Sequence, residues 1–124
     1  MLMRTARGSN RVFDFYGPQA EIDATNPETR AYVWQRLKEN YYDNGVDCMW
    51  FDEAEPEIHP EHFDNLVLYE GNGDEVALLY PYYYAKLVYD GMVESGKKEV
   101  VTLSRSAYLG AQKFGTVVWS GDIP

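Results

Sequence analysis

Met49-Trp50-Phe51-Asp52-Glu53-Ala54-Glu55-Pro56-Glu57 sets an acidic cluster directly behind an apolar run. The run from Val46 to Phe51 is short, mostly apolar and preceded by Gly45, which predicts a buried parallel strand rather than a second helix. Asp52 then falls at the carboxyl end of that strand. A similar end, Trp119-Ser120-Gly121-Asp122, follows Thr116-Val117-Val118-Trp119, a further predicted strand. Between them Glu99 to Ser104, carrying Val100-Val101-Thr102-Leu103, predicts another buried strand, closed by Arg105. Carboxylates at strand ends sit where loops build a site and strands keep it rigid.

The elements between these strands carry helix signals. Asn26 can cap free amides, Pro27 fits the first helical position and Glu28 faces the positive helix end, so a helix is expected from Pro27 to about Asn44. Val33, Trp34, Leu37 and Tyr41 form its apolar stripe, Arg30, Arg36, Lys38 and Glu39 stay wet, and Gly45 ends it. A second helix is expected from about Leu79 or Pro81 to Glu94, with Tyr84, Leu87, Val88 and Met92 as its stripe and Gly96 near its stop. Residues Ala54 to Asp74 read as a long irregular loop over the strand end. Gly71-Asn72-Gly73-Asp74 reads as a turn, and Tyr108 to Phe114 as a short helical turn.

Helix, strand, helix, strand, turn, strand is the α/β alternation of a parallel sheet, whose ligands bind beyond the carboxyl ends of the strands. A (β/α)8 barrel takes roughly 250 residues, so 124 residues supply about three of its eight strands. A parallel sheet with one face uncovered would expose apolar surface. The expectation is therefore one unit, residues 1–124, forming an incomplete slice of a larger barrel, with a small doubly wound domain as the other possibility.

Composition narrows the partner. Apolar residues make up 45% of the chain and aromatics 15%, enough for a core. A net charge of −9 argues against nucleic acid or an anionic membrane as the main partner. The 11 tyrosines suit a core or a sugar-facing cleft, and the core is the default for most. Cys48 has no internal partner and fits the apolar run as a small hydrophobe, so it says little about compartment. No signal-peptide stretch and no window of ~20 apolar residues is visible.

Several side chains are candidates for chemistry, each with a plainer reading beside it. Asp52 and Asp122 are either a catalytic pair or capping carboxylates; retaining glycosidic cleavage needs two carboxyl groups about 5–5.5 Å apart. Arg105 offers a planar fork for sugar hydroxyls or a carboxylate, or else a structural salt bridge. Glu55 reads as a supporting hydrogen-bond partner rather than a second acid. Trp50 and Trp119 could floor a sugar subsite, core packing being the default, more so for Trp50. Glu55, Glu57, His59, Glu61 and His62 include possible metal ligands, but Pro56 and Pro60 interrupt any helix that would align the histidines, and a solvated loop is the preferred reading, with no metal assigned. Ser104 and Ser106 lack a histidine partner.

Taken together, these motifs resemble glycoside hydrolase family 31, the retaining α-glucosidases and α-xylosidases. Trp50-Phe51-Asp52-Glu53-Ala54-Glu55-Pro56 is similar to the family's nucleophile signature, and Ser104-Arg105-Ser106 through Gln112-Lys113-Phe114 to Trp119-Ser120-Gly121-Asp122 to its acid/base signature. With the approach through Ala24-Thr25-Asn26-Pro27-Glu28, similar segments cover most of residues 12 to 124. The resemblance implies Asp52 as nucleophile, Asp122 as general acid/base, and Arg105 and Trp119 as contacts to the sugar, with no cofactor and a carbohydrate substrate. Lys113 stands where many members carry Arg, but Gln112-Lys113-Phe114 resembles the bacterial α-xylosidase-like branch. Glu53-Ala54 in place of Met-Asn leaves glucose and xylose both open. Rival readings are a noncatalytic carbohydrate-binding module and a metal-dependent hydrolase built on Glu57, His59 and His62.

Overall fold

A computed structural model describes residues 1–14, 17–56 and 60–122. The chain enters through a hairpin of β1 (Val12–Asp14) and β2 (Pro18–Ala20), antiparallel with Val12 opposite Ala20. This hairpin was not anticipated, since three-residue strands leave no alternation to read.

Helix α1 (Pro27–Asn40) starts as expected: Asn26 Oδ1 accepts the amides of Glu28 at 2.8 Å and Thr29 at 3.3 Å. It stops four residues earlier than the sequence suggests. Asn40 Nδ2 donates to the Arg36 carbonyl at 2.7 Å, Asn44 Nδ2 donates to the Glu39 carbonyl at 3.1 Å, and the backbone breaks at Tyr41. The Asn44 side chain thus takes a carbonyl that another helical turn would have used, and Tyr42–Asn44 forms one 3-10 turn before Gly45. The break also rotates the tyrosines. Tyr41 is exposed, and Tyr42 packs on Trp34 instead, with ring centroids 5.5 Å apart. Arg30 is not on the wet face: its Nη1 donates to the carbonyls of Ala24 at 2.9 Å and Thr25 at 2.7 Å, and its guanidinium lies 4.7 Å from the Tyr83 ring centre.

Strand β3 (Met49–Phe51) follows, shorter and barer than the predicted buried strand. Phe51 is buried, but Val46, Cys48 and Trp50 are exposed, so Cys48 is not a core hydrophobe. The stretch read as an irregular loop is organised. A 3-10 turn at Pro60–Asn65 leads into β4 (Val67–Leu68) and β5 (Gly71–Asn72), an antiparallel hairpin, then α2 (Gly73–Val76). The reversal is therefore at Tyr69 and Glu70, not at Gly71 to Asp74. Its anchor is buried Asp23: Oδ1 accepts the Thr25 amide at 3.0 Å and the Thr25 hydroxyl at 2.6 Å, while Oδ2 accepts the Tyr69 amide at 2.7 Å. A buried carboxylate so paired offsets the cost of its own desolvation.

Helix α3 (Tyr80–Glu94) matches its expected span and buries Leu87, Val88 and Met92 against Trp34 and Leu37 of α1. Full burial of each such side chain contributes ~1.5–3 kcal/mol. The two helices touch at Gly91, where a Cβ would lie 2.0 Å from Cδ2 of Trp34. Phe51 meets Tyr84 of α3 at 5.5 Å, which docks the sheet on the helices. Burial, and then the charge of Glu21, raises the Tyr80 and Tyr84 hydroxyls above their ordinary value, so both stay neutral. Lys97, just past α3, donates to the Asp47 carbonyl at 2.6 Å and pairs with its carboxylate at 2.8 Å, holding that carboxyl below the usual range.

Strands β6 (Thr102–Ser104) and β7 (Thr116–Val118) complete a parallel sheet in the order β3-β6-β7, with Phe51 opposite Ser104 and Ser104 opposite Val118. The expected helical turn lies between them as a 3-10 turn at Ala111–Phe114. Gly115 leads into β7 with φ 68°, and a Cβ there would meet the Val100 carbonyl oxygen at 2.0 Å, so only glycine lets the strand start this close. Thr102 and Ser104 are buried toward the helices, whereas Val101, Leu103, Val117 and Val118 are exposed. The alternation places Trp50, Leu103 and Val117 in register on the uncovered face. The sheet is parallel and backed by helices, and among the described residues it does not close.

Candidate active site

The carboxyl ends of β3, β6 and β7 lie side by side, so Asp52, Arg105 and the Trp119–Asp122 segment emerge from one edge of the sheet. Adjacent strands lie ~4.8 Å apart, and β6 separates the other two, so the backbones of β3 and β7 are roughly 10 Å apart. Side chains at their ends reach across that gap above β6.

Arg105 occupies the middle. Its Nε and Nη2 donate to Glu55 Oε1 at 2.9 Å and Oε2 at 3.3 Å, a planar fork on a planar carboxylate. The same Nε stands 3.5 Å from Asp52 Oδ1. Asp52 Oδ1 also accepts the amide of Glu53 at 3.1 Å. Glu53 delivers that amide from a left-handed backbone, φ 54°, which is uncommon for a residue other than glycine and is found where structure over-determines it. No sequence signal announced this contact, because the backbone dihedral of the neighbouring residue leaves no residue-type pattern.

The β7 end approaches from the other side. The Trp119 amide donates to the Ser104 carbonyl at 3.2 Å, extending the β6–β7 pairing by one step. The chain then reaches Gly121, φ 79°, where an added Cβ would lie 3.9 Å from Arg105 Cδ, so the backbone next to Asp122 passes near the arginine stem. Asp122 is exposed. Trp50 and Trp119 face each other at 5.8 Å with a 59° tilt. Trp50 is 62% exposed, against the core-packing default, because the face of the sheet that carries it is uncovered. Two half-stacked indoles beside a cluster of carboxylates and a guanidinium offer an apolar floor and polar rim suited to a sugar ring.

Of the sequence candidates, the structure therefore gathers Asp52, Glu55, Arg105, Trp50 and Trp119 with the segment bearing Asp122. Glu55 accepts two hydrogen bonds from Arg105. Ser104 and Ser106 hydroxyls contact each other at 3.3 Å. Of the suggested metal ligands, Glu57 and His59 lie outside the described residues and His62 is in the Pro60–Asn65 turn. Among the described residues no three His, Cys, Asp or Glu side chains group as a metal site. A recess of about 270 Å³ lined by Leu37, Tyr41, Val46, Trp50, Phe51 and Val88 lies at the outer side of β3 and includes neither carboxylate. Among the described residues no helix is long and apolar enough to cross a membrane.

Comparison with known proteins bears on this arrangement. Residues 1–124 match the glycosyl hydrolases family 31 TIM-barrel domain. The chain is 40% identical over 122 residues to an uncharacterized family 31 glucosidase, ORF2, of Pseudescherichia vulneris, covering 98% of this chain and 23% of that protein. It is 37% identical over 110 residues to an alpha-xylosidase of Saccharolobus solfataricus, covering 81% of this chain and 15% of that one. Among solved structures, a family 31 alpha-xylosidase from a soil metagenome, complexed with xylose, superposes with a TM-score of 0.93 at 43% identity over 99% of this chain and 18% of that chain. The chain thus spans less than a quarter of the length of these relatives.

Proposed function

The chain belongs to glycoside hydrolase family 31, as part of its TIM-barrel domain, and from that premise we propose that the protein containing it is a retaining α-glycosidase acting on α-linked xylosides or glucosides. Asp52 is the nucleophile and Asp122 the general acid/base. In the first step an Asp52 oxygen bonds to the anomeric carbon while the bond to the leaving oxygen breaks, and Asp122 gives that oxygen its proton. In the second, water attacks the same carbon, Asp122 takes the water proton, and Asp52 leaves as carboxylate. Arg105, Trp50 and Trp119 contact the sugar in the cleaved subsite, and no metal or organic cofactor takes part.

The observation that carries this reading is the shared edge: Asp52 lies beside Arg105, and the backbone leading into Asp122 passes near the same Arg105. The fold match supports it, because barrel chemistry of this family uses strand ends at one mouth. The similarity to α-xylosidases as well as to a glucosidase supports the substrate class at the level of α-linked xylose or glucose.

The test uses the full-length protein. Wild type is expected to cleave an aryl α-xyloside or α-glucoside and to release the α-anomer first, observed by proton NMR before mutarotation. Asp52→Asn is expected to lose nearly all turnover. Release of the β-anomer first, or full activity in Asp52→Asn, would sink the proposal. The 124-residue segment alone is expected to be inactive, because a slice of the barrel does not hold two carboxylates within ~0.5 Å of productive geometry.

A further inference from the structure

The Asp52 carboxylate is held from one side. Oδ1 takes the Glu53 amide at 3.1 Å and lies 3.5 Å from Arg105 Nε. Among the described residues none donates a hydrogen bond to Oδ2. The single Nε–H of Arg105 goes to Glu55, 2.9 Å away, so Asp52 receives the arginine charge through space and not as a hydrogen bond. One guanidinium serves two carboxylates, and Glu55 holds its Nε–Nη2 edge with both oxygens.

That division matters for a nucleophile. Arg and carboxylate pair best edge to edge, through two parallel charge-assisted hydrogen bonds. If the Nε–Nη2 edge turned to Asp52, both carboxylate oxygens would be occupied, and the oxygen that must bond to carbon would first have to break such a bond. The remaining distance is small, since Nε is already within 3.5 Å. An added Cβ at Gly121 would lie 3.9 Å from Cδ, so the Asp122 segment passes beside the stem, and the head group is the part that Glu55 holds.

We propose that Glu55 is a positioning residue that keeps Arg105 from closing on both oxygens of Asp52, so that Oδ1 is the anchored oxygen and Oδ2 the one that attacks the anomeric carbon. The inference rests on Asp52 being the nucleophile. Glu55 touches no reacting atom; it acts through Arg105. The Glu53 amide is the second half of the device, fixing the same Oδ1 from the backbone.

The experiment measures kcat and KM of the full-length enzyme on an aryl α-xyloside and the matching α-glucoside. Glu55→Gln keeps the shape of the side chain but puts an amide donor where Nη2 needs an acceptor. It is expected to lower kcat by roughly 10²-fold with little change in KM, as misplacement of a reacting group does. Adding Arg105→Lys to Glu55→Gln removes the fork, and the double variant is expected to recover kcat above that of Glu55→Gln while raising KM. A double variant slower than Glu55→Gln, or Glu55→Gln with the kcat of wild type, overturns the proposal. Should Glu55→Gln fail to fold, Glu55→Ala also removes the forked partner and is read the same way with and without Arg105→Lys. Asp52→Gly separates the two levels of argument. Loss of activity, with azide rescue giving the β-glycosyl azide, keeps Asp52 as nucleophile even where the Glu55 outcome is negative. Retained activity in Asp52→Gly removes the premise and the proposal together.

Discussion

Gly91→Ala in the full-length protein sets two opposed effects against each other at one atom. In a helix interior, alanine is favoured over glycine by ~0.8–1 kcal/mol, so an exposed position in α3 would gain stability. At position 91 the new methyl would stand 2.0, 2.2 and 2.4 Å from Cδ2, Cε2 and Cγ of Trp34. These atoms belong to a rigid bicyclic ring, so the clash is relieved only by moving the whole indole or separating α1 from α3. Overpacking of this kind costs about 1–3 kcal/mol. Moving the indole also gives up its contact with Tyr42, 5.5 Å away, and aromatic pairs contribute about 0.5–1.5 kcal/mol beyond burial. The clash wins, and with the lost aromatic contact added and the helix gain subtracted the net expectation is a loss of about 0.5–3.7 kcal/mol. Thermal melting followed by tryptophan fluorescence should show a lower Tm for Gly91→Ala, and Trp34→Leu in the same chain should relieve most of the added loss. A Gly91→Ala protein that melts at or above wild type, or strict additivity with Trp34→Leu, would refute the helix-contact reasoning.

Other expectations follow from named contacts. Asn26→Ala removes the acceptor of two amides at the start of α1 and should destabilise by about 1 kcal/mol, measured as a shift in thermal midpoint. Asp122→Ala should slow cleavage of poor leaving groups far more than activated aryl ones, and added azide should yield the α-glycosyl azide; equal slowing of both substrates would argue against an acid/base role. Tyr80, Tyr83 and Tyr84 have hydroxyls raised above 10.0, each chiefly by burial. A folded-state value above the unfolded one gives stability that is complete below pH 10 and lost as pH rises further, so alkaline unfolding should accompany tyrosinate absorbance. Ionisation of Tyr80 or Tyr84 near pH 10 in the still-folded protein, read from its own NMR ring-carbon signal, would contradict this.

Legibility in the sequence was uneven for physical reasons. Asn26-Pro27-Glu28 announced α1 because capping is local chemistry, and the stripe of Leu87, Val88 and Met92 announced α3 because helical period survives over many residues. The strand-end positions of Asp52, Arg105 and Asp122 were also readable, since apolar runs stop where the chain leaves the sheet. Burial was not. Trp50, Leu103 and Val117 have the composition of covered positions, yet their face of this sheet is open. The β4–β5 hairpin escaped because two-residue strands carry no period, and its anchor, Asp23 to Tyr69, joins residues far apart in the chain. Arg30 looked wet because its partners are main-chain carbonyls of the preceding segment, invisible to residue type. At the candidate site, the sequence named residues that the fold brings to one sheet edge, but the sharing of Arg105 between Glu55 and Asp52 was a matter of ångströms.

The sheet order β3-β6-β7 leaves an unpaired outer edge on β3 and on β7 among the described residues, with apolar side chains standing on the open face. Strand edges of this kind template pairing with any extended polypeptide. The segment that carries the proposed catalytic carboxylates would thus be adhesive whenever it stands apart from neighbouring strands, during synthesis or after partial unfolding. Proteolytic nicks or mutations that delay barrel closure should therefore appear first as aggregation and chaperone dependence, before any defect in turnover per folded molecule. Protein quality control, as much as catalysis, would limit which substitutions this region accepts.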